Sequence, residues 1–185
     1  MSRGYETFEH TADIGIRAWG KEFSELFEEA AKALFSVIVD LDTVSVKRSL
    51  KVELNLPLTP TLSPEGRGLG EGVEELFLAW LKELLFIFET QHLLLSQFKV
   101  LELRTTHKTH SPPSPSPLPP VGGEDKSEGG SLLLGSPMKL VAEVRGEPLN
   151  NSKHALGREV KAITHHQFKL TREKSRYLTE VILDI

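Results

Sequence analysis

The spacing of apolar and polar positions divides the chain into strands of period two and two long helical stripes. Residues 14–19 (IGIRAW) alternate, with Ile14, Ile16 and Ala18 on one face, and predict a strand. In SELFEEAAKALFSVIVD (24–40), Leu26, Phe27, Ala30, Ala31, Leu34, Phe35 and Ile38 recur at helical spacing. Ser24 is the predicted N-cap, Glu25 suits the positive first turn, and Asp40 and Asp42 end the helix. VSVKRSLKVELNL (44–56) alternates again, with Val44, Val46, Leu50, Val52, Leu54 and Leu56 on one side and polar residues on the other. That half-exposed pattern is typical of antiparallel sheets.

A second helix is predicted over 73–90 (VEELFLAWLKELLFIFET). Val73, Leu76, Phe77, Trp80, Leu81, Leu84, Leu85 and Phe88 form its stripe, while Leu78, Phe86 and Ile87 spill onto other faces. A helix this apolar is covered on more than one side. Strands follow at 96–103, 138–146, 158–170 and 176–185, the last two joined by the polar turn TREKS. The order strand, helix, strand, helix, then strands predicts an α+β domain with two helices packed on a largely antiparallel or mixed sheet.

Two stretches break this plan. PLTPTLSPEGRGLGEG (57–72) and the segment 106–137 hold most of the 11 prolines and 14 glycines. Such composition cannot bury enough apolar area to offset ordering entropy, so both read as low-complexity insertions in one domain spanning 1–185. PPSPSPLPP within the longer one has PxxP spacing, a polyproline-ligand pattern commoner in plain loops.

Composition narrows the chemistry. The formal net charge of −4 gives no reason to expect sequence-independent nucleic-acid binding, and the basic clusters Lys47, Arg48, Lys51 and Lys169, Arg172, Lys174, Arg176 read as solvated strand faces or turns. With no cysteine, disulfides, thiolate zinc sites and cysteine nucleophiles are excluded, so any bound metal has oxygen or imidazole ligands. The first ten residues lack the apolar core of a signal peptide, so the chain is read as cytoplasmic and the Asn150-Asn151-Ser152 sequon as idle.

Asp13, at the mouth of a strand that enters the core, reads on its own as a turn residue, a metal ligand or a catalytic group. Asp40 and Asp42 stand near the negative end of the first helix, where carboxylates are disfavoured; a helix-ending turn is the simpler reading, with a metal or partner role as the alternative. In a regular strand over 158–170, Glu159, Lys161, Ile163, His165 and Gln167 would face one way, and Val160, Ala162, Thr164, His166 and Phe168 the other. His165 and His166 then cannot share a metal. His166 reads as a buried hydrogen-bonded histidine or a site residue, and His154 is a weaker candidate for the same surface. His10 is at most an orienting residue behind a ligand.

With the insertions set aside, the pieces EHTADIGIRAWG, ELFEEAAKALFSVIVD, EELFLAWLKELLFIFE, GREVKAITHHQFKL and VILDI resemble the archease family. The resemblance covers nearly the whole chain outside 57–72 and 106–137. It implies a non-catalytic helper of an RtcB-type RNA ligase, the enzyme that rejoins tRNA halves, promoting guanylylation of the ligase and its multiple turnover. It also implies a metal site at Asp13, Asp184 and Ile185, with calcium the associated ion and magnesium or manganese as alternatives. RNA would be contacted only through the ligase complex. Asp40, Lys161 and His166 match positions of the family pattern, and His165 replaces what is commonly an aromatic.

The chemistry is consistent with this. Asp13 and Asp184 are hard oxygen donors, Ile185 offers a carbonyl or terminal carboxylate, and Ca²⁺ accepts six to eight oxygens in irregular geometry. A cation would also neutralise carboxylates standing together beside a core. Two other classes stay open: a metal-dependent phosphoester hydrolase with His10 or His166 as base, which lacks any phosphate-cradling loop or nucleophile elbow, and a general holdase using the over-apolar second helix.

Overall fold

A computed structural model describes residues 3–10, 13–57, 71–105 and 138–185. The elements are β1 (Gly4–His10), β2 (Asp13–Gly20), α1 (Phe23–Ile38), a 3₁₀ turn (Leu41–Thr43), β3 (Arg48–Leu56), α2 (Glu71–Gln91), β4 (Leu93–Arg104), β5 (Met138–Pro148), β6 (Ala162–Ile163), β7 (Lys169–Glu173) and β8 (Arg176–Asp184). This is the α+β arrangement the pattern predicts, with every described ladder antiparallel.

The strands divide into two sheets. One runs β1-β2-β8, with β6 and β7 following one another along the free edge of β8; the other runs β3-β5-β4. Both helices touch both sheets: α1 packs on β1, β2 and β8 and also on β4, while α2 meets β3, β4, β5 and β6. That position explains the broad apolar surface of each helix. Ala33 and Val37 of α1 are buried beyond its main stripe, and so are Leu78 and Ile87 of α2, whereas Phe86 stays 56% exposed. Phe27 and Phe77 meet edge to face at 4.9 Å between the helices, and the Trp80 indole N–H donates to the Phe27 carbonyl at 3.1 Å.

Several boundaries differ from the sequence reading. Glu22, not Ser24, precedes α1, and no side chain caps it; instead the Glu25 carboxylate reaches back to the Lys21 N–H at 2.8 Å. Helix α1 ends at Ile38 because a returning segment satisfies its last carbonyls. Gly157 N–H donates to Ile38 O at 2.7 Å and Arg158 N–H to Val37 O at 2.9 Å. A Cβ on Gly157 would stand 2.5 Å from the Val37 oxygen, so the close approach needs glycine. Asp40 and Asp42 therefore lie beyond the helix, in the 3₁₀ turn.

Strand β3 begins at Arg48 rather than Val44, and α2 begins at Glu71, inside the stretch read as insertion. The rest of 57–72 from residue 58, and all of 106–137 with its proline run, lie outside the described residues. The expected strand over 158–170 is broken. Only Ala162–Ile163 pairs as β6, a turn holds His165–Gln167 with Gln167 at φ 56°, and pairing resumes at Lys169.

Candidate metal and partner site

Strand alternation places the acidic residues. In the first sheet Ile14 pairs with Leu183, Ile16 with Val181 and Ala18 with Thr179, and these residues face the helices. The β2–β8 register ends at Ile14–Leu183, and Asp13 and Asp184 are the residues that follow it, on the outward face by alternation. His10 pairs with Asp13 across β1–β2, and Ala162 pairs with Asp184 across β6–β8. The pairs His10–Asp13 and Asp184–Ala162 thus lie at the same end of the sheet, just past the last β2–β8 pair. An acid at the mouth of a core strand is no contradiction, because the pleat turns Asp13 away from the core.

Asp13 is half-buried and Asp184 exposed, and neither carboxylate has a hydrogen bond or ion pair among the described residues. Lys161 joins them from the far edge of β8. Its backbone N–H donates to the Asp184 carbonyl at 2.8 Å, and its Nζ donates to the Ile185 carbonyl at 3.1 Å. The His10 ring is half-buried, and its Nδ1 is enclosed without a hydrogen-bond partner among the described residues.

The structure therefore brings Asp13, Asp184, Ile185, Lys161 and His10 to one sheet end. Asp40 stands in the α1–β3 connection on none of these strands, where its Oδ1 accepts the Asp42 N–H at 3.1 Å. His165 and His166 are exposed in the turn after β6; the buried reading of His166 fails because the chain leaves the sheet at Thr164. His154 is drawn off altogether. It is 4% exposed, its Nδ1 accepts the Asn150 N–H at 3.1 Å, and its Nε2 lies 3.1 Å from Glu147 Oε1.

That second cluster went unseen in the sequence. Glu147 is 2% exposed, accepts the Ser45 N–H at 2.6 Å, pairs with Lys153, and lies 2.5 Å from Lys47 Nζ. Lys153 foremost, then Lys47 and the Ser45 N–H, hold its carboxyl far below the usual range. Alternating strand residues give no sign that two separate segments, 45–47 and 153–154, converge on one glutamate.

Along the outward face from Asp13, the Phe8 ring lies across Gly15, where a Cβ would come within 2.1 Å of it. Arg17 follows, with its Nε 2.7 Å from Glu180 Oε1, an ion pair to Glu6, and its guanidinium 5.2 Å over Phe8. Glu180 first, then Glu6, raise the Arg17 pKa above its ordinary value.

Two carboxylates and a carbonyl suit a hard divalent cation with water completing its shell, and do not suit zinc. Among the described residues no three Asp, Glu or His side chains gather into a group that could hold a metal. Among them also, no helix is long and apolar enough to cross a membrane.

A two-sheet α+β domain with an open, oxygen-lined strand end is the class of protein these features define. The archease protein family model matches residues 5–112 and 132–185. Protein archease of Methanopyrus kandleri is 32% identical over 181 residues, covering 98% of this chain and 99% of that one. Protein archease of Pyrococcus abyssi is 32% identical over 182 residues, covering 98% of each. The solution structure of Methanobacterium thermoautotrophicum protein 1598 superposes with a TM-score of 0.64 at 26% identity, covering 98% of this chain and 99% of that one. The chain belongs to the archease family.

Proposed function

We propose that this protein is a non-catalytic activator of an RtcB-type RNA ligase in tRNA splicing and RNA repair, promoting ligase guanylylation and multiple turnover. Family membership supports a role as an activator protein in tRNA processing. The observation that carries the finer reading is the meeting of Asp13 and Asp184, from opposite ends of the chain, beside Lys161 on one open strand end. Carboxylates with no protein partner among the described residues, at an edge rather than in a closed pocket, suit a contact completed by another molecule.

Asp13, Asp184 and the Ile185 carbonyl would hold the cation: calcium first, magnesium or manganese otherwise. When bound, the ion supplies a fixed positive charge able to oppose nucleotide phosphates at the ligase's guanylylation site. Lys161 keeps the Ile185 carbonyl in place and adds a second cation to the same surface. RNA is delivered to this protein within the ligase complex.

The test is transfer of labelled guanylate from GTP to the ligase, with and without this protein. Asp13→Ala is expected to lose the stimulation while keeping the native circular dichroism spectrum. Full stimulation by Asp13→Ala protein stripped of metal beforehand would sink the mechanism.

A further inference from the structure

The far end of the same sheet carries the opposite charge. Within KLTREKSR (169–176), at the β7–β8 hairpin, four cations accompany one carboxylate. The fold adds a fifth from a distant part of the sequence. The Phe23 ring at the start of α1 stacks on Tyr177 at 4.0 Å, which brings the β2–α1 corner and Lys21 against the hairpin. Lys21, Glu173, Lys174, Ser175 and Arg176 line a recess of about 630 Å³ between them.

Nearby carboxylates leave much of this charge uncompensated. Glu173 pairs with Arg176 at 3.0 Å, and Glu180 is engaged by Arg17, with Lys169 at 3.7 Å. Glu25 accepts the Lys21 backbone N–H, and Glu22 accepts the Ser24 hydroxyl at 3.5 Å. No described carboxylate lies within ion-pair distance of the side chains of Lys21, Arg172 or Lys174. The Arg172 guanidinium lies 5.5 Å over the Tyr177 ring, a cation–π contact that leaves its N–H groups without an acidic partner.

We infer that this corner, Lys21 with Arg172, Lys174 and Arg176, is a contact for the phosphate backbone of single-stranded RNA. The inference rests on the ligase reading above, which places RNA ends beside this protein. Eight steps along β8 separate Arg176 from Asp184, about 26 Å at a strand's rise, so one sheet presents an acidic end and a basic end a few nucleotides apart. Four cations give weak binding on their own, and the contact serves to hold RNA already delivered by the ligase.

The experiment is fluorescence anisotropy of a labelled twelve-nucleotide oligouridylate with the isolated protein in 20–80 mM KCl. Four phosphate contacts on a single strand predict a log–log salt slope of about −2.8, a loss of about 50-fold in affinity over that fourfold range. Arg172→Gln/Lys174→Gln should halve the slope, to a loss of about 7-fold, and Arg172→Lys/Lys174→Arg should restore it. An unchanged slope in the glutamine variant, or no binding by the parent at 20 mM KCl, overturns the inference. Displacement by poly-glutamate as effective as by unlabelled RNA also overturns it, in favour of an acidic protein surface. Guanylylation of the ligase without RNA is read separately: absent stimulation there defeats the ligase reading, whatever the salt slope.

Discussion

Replacing Asp13 with asparagine should change stability in opposite directions with and without a divalent cation. Asp13 and Asp184 are like-charged carboxylates that follow the last β2–β8 pair, Ile14–Leu183, and neither has a compensating partner among the described residues. Like charges on neighbouring strands cost at most about 0.2–1 kcal/mol, the figure for residues directly opposed. In chelator, Asp13→Asn should therefore melt no lower than the parent, and as much as about 4 °C higher for a chain of this size. With calcium at a hundred times its dissociation constant, the parent gains about 2.7 kcal/mol, or roughly 5–11 °C. The variant gains little, so the order of the two melting temperatures reverses. Differential scanning calorimetry in EGTA and in calcium reads both arms. A variant less stable than the parent in EGTA would show the Asp13 carboxylate bracing its turn through backbone N–H groups. Equal calcium shifts in the two proteins would remove Asp13 from the ligand set.

Three further outcomes follow from the packing. Gly146→Ala would drive a Cβ to 1.8 Å from the Leu94 carbonyl oxygen on the neighbouring strand, where only backbone can give way, so a cost of about 3 kcal/mol or more should appear in the urea midpoint. Trp80→Phe removes an indole N–H bonded to Phe27 O from a fully buried site and should cost about 2 kcal/mol by the same measurement. The Glu147 carboxyl is depressed in the folded protein, so its stabilisation is complete above its ordinary value of 4.5 and is lost as pH falls below it. Glu147→Gln should be less stable at pH 7 and show a flatter stability curve below pH 4.5; an acid limb parallel to the parent's would contradict that role.

What the sequence could show depended on periodicity. The stripes of α1 and α2 announced both helices, and the overflow of Leu78 and Ile87 announced cover on more than one side, which the two sheets provide. Period two located β3, β5 and β8 but could not say which strands pair, so the division into two sheets was hidden. Strand β1 was not read at all, since GYETFEH holds few apolar residues and its one aromatic contact with Gly15 lies on the outward face. The turn at His165–Gln167 was hidden because Gln167 adopts positive φ without being glycine. Asp13 stands out from its place before a core strand, whereas Asp184, Ile185 and Lys161 follow only from the family resemblance, and pairing of β2, β6 and β8 brings all four to one strand end. Glu147 escaped because its partners Ser45, Lys47, Lys153 and His154 are distant or unremarkable in sequence.

Activation of a ligase is read in a ligation time course. The assay holds an RtcB-type ligase from the same source limiting against excess RNA bearing 2′,3′-cyclic phosphate and 5′-hydroxyl ends, with GTP and divalent metal. Product should rise many-fold past one equivalent of ligase when this protein is present and stall near one equivalent without it. A curve unchanged by this protein, with a ligase shown to be active, would contradict the account.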